Sequence, residues 1–179
     1  FTGGDSNGGM TGLADKTVAV VGTGASAIQC VPRLARDAKH VYVFQRTPSS
    51  VDFRRNRPTD ESWWSSLEPG WQRQRRENFD AISMGKRVDV DLVDDGWTDI
   101  FRAISSPKGE NRPRTREERD RIVELTDFQK MEEIRRRVDD TVADADTADL
   151  LKPYYRVMCK RPTFNDEYLA CFNRDNVTL

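Results

Sequence analysis

Apolar residues follow two patterns along this chain, short continuous runs and residues that recur at every third or fourth position. Continuous runs at 18–21 and 40–44 are typical of buried parallel strands. Between them, apolar residues at helical spacing predict a helix over 25–38, although Pro32 inside it should cause a local kink. The predicted buried face of this helix consists of Ile28, Val31, Leu34 and Ala35.

The helical pattern dominates the middle of the chain, residues 59–151. Asp60 is a predicted helix cap, and Thr115 with Glu118 forms a capping box that begins a long helix. Apolar residues from 122 to 138 on this long helix predict a stripe that faces the core rather than a binding surface. Other helices are predicted over 60–67, 71–82, 92–104 and 146–151, with one or two helical turns over 166–172.

A glycine-rich turn stands between the first strand and its helix, with the spacing G-x-G-x-x-A. Gly22 permits a sharp turn, Gly24 allows a pyrophosphate to approach the backbone, and Ala27 lets the helix pack against the strand. The free N–H groups at the start of the helix favour an anion there. The spacing predicts a dinucleotide site, while a purely structural glycine turn stays open as an alternative.

Arg46 follows the second strand at the position where an NAD-binding domain usually carries Asp or Glu. A cation there favours the 2′-phosphate of NADP, because guanidinium binds phosphate strongly. Spacing alone also permits a solvated Arg at a strand end. The predicted fold class is α/β, a Rossmann-like NADP-binding domain over 16–58 and 152–179 with a large helical insertion at 59–151.

Composition excludes several other kinds of function. The 179 residues carry a formal net charge of -1, so neither nucleic acid nor a membrane is indicated as a partner. No apolar stretch has the length of a membrane span, and no signal peptide opens the sequence. One histidine, His40, and three scattered cysteines argue against a metal site or a Ser-His-Asp triad. The cysteines are predicted to be reduced, as in a cytoplasmic protein.

Five sequence segments together resemble the class B flavoprotein monooxygenases, and most closely the Baeyer–Villiger monooxygenases. The segments are GTGASAIQ, VFQRTPSS, NRP, CKRPTFNDEY and FNRDNVTL. The resemblance extends over the whole chain. It implies an enzyme that uses NADPH, FAD and O2 to insert one oxygen atom into a ketone, which yields an ester or lactone.

The resemblance also implies which part of such an enzyme this is. The chain looks like the NADP domain alone, with 1–15 as a connector from an FAD domain of the same parent chain. The family's G-x-G-x-x-G for FAD and its F-x-G-x-x-x-H-x-x-x-W signature are not in the sequence. We therefore expect this segment alone to lack tight flavin binding and turnover.

Site residues are implied by matching the family's motifs to this sequence. The pyrophosphate turn comprises Gly22, Thr23, Gly24, Ala25, Ser26 and Ala27. Arg46 and Thr47 match the 2′-phosphate site, Lys160 is expected to reach the same phosphate, and Arg161 matches the family's catalytic arginine. Without the family motif, Lys160 and Arg161 would be interpreted as a solvated basic pair.

Two other functions are compatible with the sequence. A flavin monooxygenase that oxygenates nitrogen or sulfur is a sister alternative within the same class. A non-catalytic nucleotide-binding or interaction module with a Rossmann-like core belongs to a different class, but the intact Gly22, Gly24 and Arg46 argue against it. The ketone, the regioselectivity and the oligomeric state do not follow from the sequence.

Overall fold

The computed structural model describes residues 9–105 and 115–179. The chain forms two compact units, one built from the residues up to Phe53 together with Lys130–Leu179, the other from Arg54–Gln129. In chain order the elements are β1 (Thr17–Val21), α1 (Ala25–Asp37), β2 (His40–Phe44), β3 (Val51–Asp52), α2 (Glu61–Ser65), α3 (Trp71–Ser83), α4 (Gly96–Ser105), α5 (Arg116–Thr141), α6 (Ala145–Leu151), β4 (Thr163–Phe164), a 3-10 helix at Leu169–Asn173, and β5 (Val177–Thr178).

The first unit is organised around a parallel sheet with strand order β1-β2-β5. Strands β1 and β2 pair in parallel from Thr17 opposite His40 to Val21 opposite Phe44. Since α1 connects these two strands, they form the β-α-β unit that the sequence predicted. The predicted α/β class with parallel strands is confirmed.

One face of this sheet forms the core of the first unit. Val41 and Val43 of β2 are buried, and Val31 and Ala35 of α1 are fully buried in the same cluster. Helix α1 continues through the buried Pro32 to Asp37. The same cluster also contains residues of α5, of the link that follows it, of α6 and of the 3-10 helix, namely Val138, Val142, Leu151, Leu169 and Phe172.

A second, two-stranded parallel sheet joins β3 to β4. The sequence analysis treated the segment around β3 as irregular, because two residues are too few to show a strand pattern. The buried guanidinium of Arg137 in α5 donates to the carbonyl of Val51 at 2.8 Å and to that of Asn165 at 2.9 Å. It also stacks on Phe53, with its Cζ 3.9 Å from the ring centroid.

The second unit carries the helices α2, α3 and α4. Asp60 caps α2 as predicted, accepting from the N–H groups of Ser62 and Trp63 at 2.8 Å and 3.1 Å. The prediction that α4 begins near residue 92 was wrong, since the helix begins at Gly96. Asp91 accepts backbone N–H groups of the next residues, Val93 and Asp94, at 2.9 Å each, and this local turn competes with helix.

Helix α5 begins at the predicted capping box, where Thr115 Oγ1 accepts from the Glu118 N–H at 3.1 Å. The predicted core stripe is only partly buried. Met131, Ile134 and Val138 are buried, whereas Leu125 and Phe128 are 51% and 52% exposed. The stripe therefore serves as core in the carboxyl-terminal half of the helix only.

The compact units divide the chain differently from the predicted domains. Residues from Lys130 onward belong to the first unit, although 130–151 had been placed in the helical insertion. The physical reason is burial, because Val138, Val142 and Leu151 are part of the first unit's core. In the described part of 59–151 the ordered elements are all helices. Among the described helices, none is long and apolar enough to cross a membrane.

Candidate nucleotide-binding site

The candidate site lies where β1 and β2 end. Val21 and Phe44 are opposite each other in the sheet, so the residues that follow them are neighbours. The N–H of Gly22 donates to the Phe44 carbonyl at 2.8 Å, which ties the glycine turn to the end of β2. Ligands of open parallel sheets bind beyond the carboxyl ends of the strands, and this edge holds the predicted site residues.

The two glycines of the turn differ in backbone conformation, and glycine suits each position for a different reason. Gly22 has φ of +93°, a left-handed conformation that side chains with a Cβ rarely adopt. Gly24 caps α1 with φ of -78°, and a Cβ there would meet no atom within 4 Å. The space in front of Gly24 is therefore open to a ligand that approaches the backbone.

Hydrogen bonds join the glycine turn to the loop after β2. Thr23 is buried, and its Oγ1 donates to the Thr47 carbonyl at 3.2 Å. In return, the hydroxyl of Ser49 donates to the Thr23 carbonyl. These two bonds hold the Arg46–Thr47 segment beside the turn.

Three cations face the same cleft of about 750 Å³. Arg46, Lys160 and Arg161 are all exposed, and the Nζ of Lys160 lies 3.4 Å from the Thr47 carbonyl oxygen. The described residues that line the cleft include no carboxylate, so the cleft is cationic. Cations beside backbone N–H groups favour a phosphate-bearing ligand. The lining consists of Val21, Gly22, Thr23, Gly24, Ala25, Phe44, Gln45, Arg46, Thr47, Ser49, Lys160, Arg161 and Thr163.

Most predicted site residues come together in this cleft. The glycine turn through Ala25 lines it, as do the residue pairs 46–47 and 160–161, which are distant in sequence. Ser26 and Ala27 are not among the lining residues; Ser26 is exposed and Ala27 is half-buried in the first turn of α1. The roles of all these residues stay predictions.

Sequence reasoning missed other residues around the cleft. Gln45, Ser49 and Thr163 line it, and Tyr155 binds the loop behind it. Burial raises the pKa of the Tyr155 phenol. The Ser and Pro in the loop after β2 signalled a turn, but no spacing connected that loop to Tyr155.

Comparison with known proteins relates the chain to named enzymes. No family model matches the sequence. A Baeyer-Villiger monooxygenase of Stachybotrys chlorohalonatus is 56% identical over 181 residues, which cover 100% of this chain. The chain is homologous to the Baeyer–Villiger monooxygenases over its whole length. An FAD-binding monooxygenase of Hypomyces subiculosus is 44% identical over 99% of the chain. The family resemblance deduced from the sequence is thus confirmed.

Solved monooxygenases have the same fold in this region. A polycyclic ketone monooxygenase from Thermothelomyces thermophila superposes with a TM-score of 0.79 at 42% identity, over 98% of this chain and 30% of that one. A steroid monooxygenase bound to NADP gives 0.63 over 94% of this chain and 33% of that one; at 22% identity it supports the fold alone. The chain spans 29% and 30% of the length of the two curated relatives.

Proposed function

We propose that this chain is the NADPH-binding part of an FAD-dependent Baeyer–Villiger monooxygenase, which oxidises a ketone with O2 to an ester or lactone. The observation that carries the proposal is the cleft at the ends of β1 and β2. It joins a dinucleotide-type glycine turn to Arg46, Lys160 and Arg161. The names of the relatives favour ketone oxidation over oxygenation of nitrogen or sulfur.

The described residues fit a dinucleotide phosphate. The pyrophosphate would lie against Gly24 and the first turn of α1, where a Cβ would meet nothing within 4 Å. On this proposal 16–58 and 152–179 belong to the NADP domain, and 59–151 is inserted between them in sequence, with its part from Lys130 onward packed into the same compact unit.

The 2′-phosphate of NADPH would be held by Arg46, Thr47 and Lys160. A planar guanidinium and a compact ammonium are complementary phosphate ligands, one forked and one a point charge. The absence of a carboxylate among the described lining residues favours NADPH over NADH, because an acid would repel the extra phosphate.

Arg161 is proposed as the catalytic cation of the complete enzyme. The flavin would supply the redox chemistry when bound to the FAD-binding part of the same parent protein. Arg161 would stabilise negative charge that develops on oxygen without giving up a proton, since a guanidinium stays charged. The other participants would be a small ketone and O2.

Titration of this chain with NADPH and NADH tests the proposal. We expect tighter binding of NADPH, and loss of most of that preference in Arg46→Ala. A hydrogen bond to a charged group contributes roughly 1.5–3 kcal/mol, so the NADPH affinity should fall about tenfold or more. Arg46→Lys should retain part of the preference, because it keeps the charge but not the fork.

Arg136→Ala is the matched control. This arginine is exposed on α5 and is not among the residues that line the cleft, so its removal should leave both affinities unchanged. Equal affinity of the unmutated chain for NADPH and NADH would overturn the assignment of NADPH as the ligand.

A further inference from the structure

The loop after Arg46 contacts two other parts of the cleft. The Thr47 carbonyl accepts from Thr23 Oγ1 at 3.2 Å and from Lys160 Nζ at 3.4 Å. The hydroxyl of Ser49 donates to the Thr23 carbonyl. Because the glycine turn and Lys160 both bind this loop, the position of the loop sets the distance between them.

One hydroxyl fixes this loop on both sides of Ser49. The half-buried Tyr155 accepts the N–H of Ser50 at 2.8 Å and donates to the Pro48 carbonyl at 2.9 Å. Tyr155 lies in the segment between α6 and β4, far from the loop in sequence. Its phenol therefore anchors the loop to the segment that carries Lys160.

The ring of the same tyrosine contacts Lys160. The Nζ of Lys160 lies 5.1 Å from the Tyr155 ring centroid, within the range of a cation–π interaction. The hydroxyl orients the ring through the loop, and the ring and the Thr47 carbonyl together hold the ammonium at the cleft. One side chain thus positions both parts of the candidate phosphate site.

Both partners of Lys160 in the described part of the chain are neutral, a carbonyl oxygen and a phenol ring. A carboxylate partner would have cancelled the charge of the ammonium. Neutral partners restrict the position of the ammonium and leave its full charge for a phosphate. The ammonium also has three donors, of which one is used here.

We propose that Tyr155 is a positioning residue that sets the specificity of the cleft for a 2′-phosphate, by fixing the loop after Arg46 and holding Lys160 over its ring. The proposal rests on the proposed function, in which the cleft binds NADPH. It concerns discrimination between nucleotides with and without the 2′-phosphate, not the pyrophosphate contact at the glycine turn.

Binding of 2′,5′-ADP and 5′-AMP to this chain tests the proposal, since these probes differ only in the 2′-phosphate. Tyr155→Phe keeps the ring and removes both loop hydrogen bonds. We expect its affinity for 2′,5′-ADP to fall about threefold to tenfold, the size of one net hydrogen bond. Affinity for 5′-AMP should stay unchanged. Tyr155→Leu, which also removes the ring, should lower the preference by a further few-fold.

The adjacent Tyr154 provides a matched control. It is 74% exposed and its ring stacks with Arg135, whose Cζ lies 5.2 Å from the centroid. Tyr154→Phe should bind both probes as the unmutated chain does. Retention of the full preference in Tyr155→Phe and Tyr155→Leu would overturn the role of Tyr155. An equal loss of affinity for both probes would overturn it too, since that result would mean that Tyr155 only maintains the structure of the chain.

A double-mutant cycle provides the second measurement. In a Lys160→Ala background, Tyr155→Leu should change the preference less than in the unmutated chain, because part of its effect acts through Lys160. If the effects of the two substitutions on the preference are fully additive, Tyr155 does not act through Lys160. If the unmutated chain binds both probes equally, the proposed function itself fails. If the unmutated chain prefers 2′,5′-ADP and the Tyr155 variants keep that preference in full, the proposed function stands and Tyr155 has no part in it.

Discussion

The glycines of the β1–α1 turn differ in what a side chain would cost at each position. Gly22 needs its positive φ of +93° for the chain to turn out of β1. Gly24 has an ordinary φ of -78° with open space in front of it. The fold therefore requires a glycine at Gly22, whereas at Gly24 it only leaves open the space that the proposed pyrophosphate would need.

Alanine at each position should separate the two requirements. Gly22→Ala should lower the free energy of unfolding by roughly 1–2 kcal/mol, the cost of a left-handed residue with a Cβ. Gly24→Ala should cost less, as a poorer helix cap, but should weaken NADPH binding more, since its methyl group occupies the space of the pyrophosphate. Thermal unfolding and nucleotide titration measure the two effects. Unchanged NADPH affinity in Gly24→Ala would contradict close approach of the pyrophosphate there.

At the level of elements, the short strands β3 and β4 follow the two segments that supply the cations of the cleft. β3 follows the Arg46–Thr47 loop, and β4 begins two residues after Arg161. Arg137 of α5 donates to carbonyls of both strand segments. Two strands of two residues each contribute few ladder bonds, so this buried guanidinium is a large part of what holds them together.

Replacing Arg137 should loosen this strand pair. Arg137→Met keeps much of the volume but leaves the carbonyls of Val51 and Asn165 without their donor, at a cost of about 2–4 kcal/mol. Amide hydrogen exchange should become faster at Thr163 and Asn165, whose N–H groups donate to the carbonyls of Ser50 at 3.1 Å and of Asp52 at 3.0 Å. The exposed neighbour substitution Arg136→Met is the control. Unchanged exchange in Arg137→Met would show that the ladder bonds suffice.

The sequence predicted the elements that have a strong local signal. Strands β1 and β2, the capping box of α5 and the Asp60 cap were found because periodicity and caps depend on neighbouring residues. β3 and β4 were not found, because they are held by the guanidinium of Arg137, which is distant in sequence. The start of α4 was placed too early, because the Asp91 side chain binds backbone N–H groups before the helix. In the same way Arg46 and Lys160 could be predicted from motifs, but Tyr155, which joins Lys160 to the loop after Arg46, could not.

At the scale of the whole molecule, the described residues leave one face of the sheet uncovered. Val21 is 86% exposed, Phe44 is 56% exposed and Tyr42 is 43% exposed. Parallel sheets are normally covered on both faces. The chain also spans only 29% of its Stachybotrys relative. On the proposed function, catalysis requires a complete monooxygenase that contains this chain, and this segment alone should bind nucleotide without turnover.

In that complete enzyme, Lys160 and Arg161 should have separable effects although they are adjacent. Lys160 bonds to the Thr47 carbonyl beside the proposed 2′-phosphate site, and Arg161 faces the same cleft next to it. Lys160→Ala should weaken NADPH binding while ketone oxidation survives at saturating NADPH. Arg161→Ala should still permit some flavin reduction but lose ester formation, since removing a preorganised charge-stabilising group costs about 100- to 1,000-fold in rate.

The two variants are distinguished by measuring flavin reduction and ester formation separately. Flavin reduction by NADPH, followed by its absorbance without O2, reports the step that Lys160 should affect through nucleotide affinity. Ester formation at saturating NADPH reports the later step, in which Arg161 should stabilise negative charge on oxygen. Ester formation at the unmutated rate in Arg161→Ala would leave Arg161 as a structural or phosphate-binding residue. Loss of both steps in both variants would instead mean that the pair acts as one nucleotide site.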